Sequence, residues 1–141
     1  MLRLFVSALA LSLPFAALAA EAVDMSCNAT VKEFFAPLIQ NRIINPKPFN
    51  VEPGSSTNHF KISAFKSVTA YGIPVIEVFG YTDEPLLFVK SGNPQFDLYG
   101  VRVREGVANV QAQLNSFGAT KARAYRIDGA SSIIICKGNS E

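Results

Sequence analysis

The chain has 141 residues, 49% of them hydrophobic, and its 13 Lys+Arg against 11 Asp+Glu nearly cancel. That length supports one small core, not two domains, and the charge balance excludes a general polyanion binder, which would carry a marked basic excess. One histidine and two cysteines are too few for a structural zinc site of four Cys/His ligands within one chain; no metal site and no cofactor is expected.

Residues 1–20, MLRLFVSALALSLPFAALAA, place Arg3 before an apolar stretch and then small residues. Ala17 and Ala19 flank Leu18 in the small-x-small pattern that a signal peptidase reads. Pro14 interrupts the apolar stretch, which barely reaches the roughly 20 residues of a bilayer span. Residues 1–20 are therefore expected to be a signal peptide. Residues 21–141 are expected to be one exported domain, periplasmic or extracellular, without a transmembrane segment. The short, alanine-rich leader favours a Gram-negative periplasm.

Export bears directly on the cysteines. Cys27 follows Asp24, Met25 and Ser26, not a small-residue lipidation box, and no Cys-x-x-Cys pair is present. Two cysteines in an oxidising compartment pair. A Cys27–Cys136 disulfide would tie the start of the domain to its last strand, an entropic constraint worth roughly 4–5 kcal/mol at most.

Residues 28–40 carry Val31, Phe34, Phe35, Leu38 and Ile39 at helical spacing, with Asn28 as a fitting N-cap. Pro37 predicts a kink or an earlier end. Residues 45–58, with three prolines and a Gly-Ser-Ser cluster, read as one long loop. Alternation from Phe60 predicts an extended segment to about Tyr71. A turn at 71–74 precedes a strand over 75–81, with Gly80 a candidate bulge. Further strands are predicted over 86–90 and 98–103. Val107, Val110, Leu114 and Phe117 make one stripe of a second helix that stops at Gly118. Residues 121–127 and 131–137 flank Asp128-Gly129, a tight-hairpin signal. Helix, four strands, helix and two strands predict a small single α+β domain. Its antiparallel sheet would have about five or six strands, with two helices on one face and one disulfide.

Candidate chemistry is sparse. Ser63 and Lys66 match Ser-x-x-Lys, and Ser91-Gly92-Asn93 imitates a second penicillin-binding motif. That nucleophile belongs at a helix start, whereas Ser63 falls in an alternating strand and the Lys-Thr-Gly motif is missing. His59 is the only side chain titrating near neutrality unaided, and Ser55, Ser56 and Thr57 are neighbours in sequence only. Glu77, Asp83 and Glu84 could form a carboxylate pair, but Asp83-Glu84-Pro85 already makes sense as a polar turn. Asn28-Ala29-Thr30 fits a glycosylation acceptor, yet helix capping explains the same residues. Arg102 and Arg104 share one strand face, and Lys121 and Arg123 another, so neighbouring strands would make a basic patch.

The stretch Tyr99-Gly-Val-Arg-Val-Arg-Glu-Gly, leading into a helix with Val110 and Leu114, resembles small envelope domains of the β-lactamase-inhibitor-like type. The resemblance is confined to this stretch and assigns no site residue. No catalytic residue is assigned either. The expected function is a non-enzymatic exported protein that binds another exported or envelope protein, as inhibitors and immunity proteins do, and not a nucleic acid. Phe49 and Val51 would be its apolar anchors, and Lys47 and Glu52 would orient it, with Arg102, Arg104, Lys121 and Arg123 as further candidates. The alternatives are a small-ligand-binding or envelope-sensing domain and a small hydrolase.

Overall fold

The computed structural model describes residues 19–83 and 87–137. The expected signal peptide, apart from Ala19 and Ala20, lies outside them, as do Glu84 and the start of the strand predicted from Leu86. The order is β1 (Glu21–Ala22), α1 (Val31–Gln40), β2 (Asn50–Val51), β3 (Asn58–Lys61), β4 (Val68–Ala70) and β5 (Ile73–Tyr81). Then come β6 (Leu98–Val103), α2 (Val107–Ser116), β7 (Arg123–Arg126) and β8 (Ser132–Lys137). Among the described residues the domain is α+β with two helices, but its sheet has eight strands and is mixed. β1 runs parallel to β4, and every other pair is antiparallel. The expectation of a five- or six-stranded, purely antiparallel sheet is corrected because β1 and β2 have two residues each, too few for any alternation to register.

Helix α1 begins with a capping box. Thr30 Oγ1 accepts from Glu33 N at 3.2 Å, and Glu33 Oε2 accepts from Thr30 N at 2.8 Å. The cap is therefore Thr30, two residues beyond Asn28. The helix continues through Pro37 to Gln40 and buries Val31, Phe34, Phe35 and Leu38, while Ile39 stays at the surface. Helix α2 buries only Val110 and Leu114. Phe117 is exposed at its C-cap against Tyr71, and Gly118 takes the positive φ expected after a helix end.

The nine-residue β5 is the spine of the sheet. β4 pairs with its first residues and β3 with 77–80, while β6 pairs along its other edge. Tyr71 and Gly72, both at positive φ, form the two-residue turn between β4 and β5, so β5 starts inside the predicted turn. The extended segment predicted from Phe60 to Tyr71 is broken at Phe65, which sits at positive φ and is 99% exposed. Residues 87–90 are not a strand; Phe88 packs instead against Phe35, Phe60 and Tyr81. Gly80 is not the bulge, because the register shift falls between Val75 and Glu77. A Cβ on Gly80 would stand 2.7 Å from the Phe35 ring, so close helix–sheet approach is what requires glycine there. The turn between β7 and β8 spans five residues, 127–131. Asp128 shapes it by accepting from Ala130 N and Ser131 Oγ, both at 2.8 Å.

One face of the sheet makes the core. Tyr99, Val101 and Val103 of β6 stand opposite Cys136, Ile134 and Ser132 of β8, all buried. Phe34 stacks on Tyr99 at 4.3 Å, and Val110 and Leu114 enter the same cluster. Cys27 and Cys136, 109 positions apart in sequence, form the expected disulfide, with Cα atoms 5.2 Å apart. Among the described residues, no helix is long and apolar enough to cross a membrane.

Candidate functional site

The opposite face of the sheet carries no helix among the described residues. Register sets its crosswise rows. One reads His59, Phe79, Gly100, Ile135, Arg123; the next reads Lys61, Glu77, Arg102, Ile133, Tyr125. Phe79 lies across Gly100, where a Cβ would come within 2.5 Å of its ring, and its other neighbour is His59 at 5.7 Å between ring centres.

His59 holds one end of this face. Its Nε2 meets Glu52 Oε1 at 3.0 Å, and its Nδ1 makes a short contact with Glu77 Oε1. Burial alone would lower the imidazole pKa, but the paired carboxylates Glu77 and Glu52 outweigh it and hold the pKa above the ordinary 6.5. Glu52 also accepts from Ser55 Oγ at 3.0 Å, and that hydroxyl is 3.0 Å from Thr57 Oγ1. Both ring nitrogens are thus engaged by carboxylates, and Ser55 bonds to Glu52 rather than to the imidazole. This is an ionic clasp, not a nucleophile–base pair.

Residues 45–58, predicted as a loop, contain β2 and the first residue of β3, and they are pinned at several points. Phe49 N donates to His59 O at 2.9 Å and Glu52 N to Thr57 O at 2.9 Å. Asn58, fully buried, donates from Nδ2 to Ser56 O and Val89 O and accepts from Val89 N at 2.8 Å. Ser56 Oγ donates to Ser91 O and accepts from Ser91 N, and Gly54 N donates to Ser91 O. Asn58, Ser56 and Ser91 carry this arrangement, and nothing in their sequence context pointed to these pairings.

Of the candidate contacts, Phe49 is 50% exposed, edge-on to the His59 ring, with Lys61 Nζ 5.2 Å from its centre. Lys47 is exposed, Glu52 turns to His59, and Val51 is half buried opposite Asn58. Arg102 and Arg123 share the helix-free face, but β8 separates their strands. Arg102 is engaged by Asp128 at 3.5 Å and Ser131 Oγ at 3.1 Å. Arg104 lies past the end of β6, and Lys121, ahead of β7, donates to Asn28 Oδ1 at 2.6 Å. The four cations therefore do not lie on neighbouring strands. Ser63 and Lys66 share a turn in which Lys66 pairs with Glu21 at 3.0 Å. Asp83 accepts from Tyr81 Oη and Lys90 Nζ, whereas Glu77 belongs to His59. No group of three or more His, Cys, Asp or Glu among the described residues could hold a metal ion. No protein-family model, curated protein or solved structure matches the chain.

Proposed function

We propose that the protein is an exported, non-enzymatic binding protein that acts on another protein of the cell envelope or exterior, as an inhibitor or immunity protein does. The observation that carries the reading is the ordering of residues 45–58 around a half-exposed Phe49 at the margin of a sheet face without helices. A contact residue already held in place loses little conformational entropy on binding, and rigidly supported aromatics are common anchors of interfaces. Phe49 is the anchor, Lys47 and Glu52 give orientation, and Val51 supports the segment from beneath.

The test is capture from cell-envelope extract on the oxidised protein and on a variant with residues 47–53 replaced by Gly and Ser. The expected result is one protein, stoichiometric with the bait, retained only by the unaltered chain and rebinding after purification. Empty baits, or the same partner on both, would refute the reading.

A further inference from the structure

At the far end of the helix-free face, a cleft of about 680 Å³ opens over Ile135. Phe96 and Tyr125, 57% and 53% exposed, wall it. Lys121, Arg123 and Lys137 rim it, and no carboxylate among the described residues lines it. Lys121 bonds a neutral amide oxygen, Lys137 Nζ stands 5.6 Å from the centre of the Phe96 ring, and the Arg123 side chain has no hydrogen-bond or ion-pair partner among the described residues. Three cations with no carboxylate partner among the described residues therefore gather here in a chain whose net charge is only +2. The cleft also adjoins a sheet edge. β7 pairs with β8 on one side and, among the described residues, with no strand on the other. Such an edge accepts an added strand through its backbone groups. Arg123 and Arg126 at its two ends would repel a second copy of β7 but attract an acidic strand, which is specificity by charge.

We infer that the cleft and the β7 edge receive an extended acidic segment of the partner protein. Its carboxylates meet Lys121, Arg123 and Lys137, and an aromatic or branched side chain lies between Phe96 and Tyr125. This assignment rests on the protein-binding reading above and names what the partner must present.

The probe is an acetylated, amidated heptapeptide of alternating Glu and apolar residues with a central Phe, titrated into the oxidised protein by calorimetry with amide shifts recorded by NMR. Shifts should fall on residues 121–126 and 137. Affinity should drop as sodium chloride rises from about 50 to about 300 mM, and by about tenfold in the double reversal Arg123→Glu/Lys137→Glu. Replacement of residues 47–53 should leave peptide binding unchanged, and an unaltered far-UV spectrum checks that each variant is folded. No binding, equal binding of the lysine counterpart, or displacement of the peptide by decanoate would overturn the assignment; displacement would mark a site for small amphiphilic anions. A partner captured through residues 47–53 but indifferent to the double reversal would remove this assignment alone, whereas failure of all capture removes the protein-binding reading.

Discussion

Both ring nitrogens of His59 face carboxylates, Glu77 on β5 and Glu52 beyond β2, so the charged imidazolium ties three segments together across one face. Its folded pKa is raised, so the stabilisation is complete below the unfolded value near 6.5 and is lost as pH rises through the folded value. Urea unfolding at a series of pH values should therefore show stability declining above about pH 6.5, and His59→Gln should flatten that decline. At pH 6 the variant should lose about 1.5–3 kcal/mol, the range for hydrogen bonds to charged groups. Equal slopes in the two proteins would show that the clasp contributes nothing. Gly100 poses a steric test two strands away. A Cβ there would press on Phe79 and on the β8 backbone, so Gly100→Ala should cost about 1–3 kcal/mol, read as a lower urea midpoint.

Among the elements, the segment between α1 and β3 departs most from its sequence pattern. Gly54 and Gly92 meet backbone to backbone, and Gly92 sits at φ +91. Gly92→Ala would add left-handed strain of about 1–2 kcal/mol and a collision with Gly54. It should loosen residues 52–58, which faster cleavage there in limited proteolysis would reveal. Asn58→Ala should do the same and leave both polar groups of Val89 without their partner. The sequence could not reveal this clasp, because Ser56 bonds Ser91 from 35 residues away and no periodicity marks either residue. Prolines and a Gly-Ser-Ser cluster look the same in a loose connector and in a pinned one. By contrast, β6 matches its predicted span because Tyr99, Val101 and Val103 alternate with Gly100 and Arg102. Strand β8, one residue shorter than predicted, was legible because a short apolar run, Ile133 to Cys136, beside a turn signal marks a buried strand. Of the candidate contacts, Phe49 was legible as an apolar residue in a polar stretch. The separation of Arg102 from Arg123 was not, since only topology inserts β8 between their strands.

For the whole molecule, the disulfide links the chain just ahead of α1 to β8, two strands from the β5 spine. The double variant Cys27→Ala/Cys136→Ala should lose about 2–5 kcal/mol in equilibrium unfolding, and an unchanged urea midpoint would deny the crosslink that role. Both helices enter the core cluster from one side, and the division of labour we propose leaves the face with Phe49 at one end and Tyr125 at the other for a partner. The most direct test of that division is hydrogen–deuterium exchange on the purified complex with the captured protein. Slowed exchange at residues 48–52 and 121–126, with α1 and α2 unchanged, is the predicted result. Slowed exchange confined to the helices, with the sheet face untouched, would contradict the account.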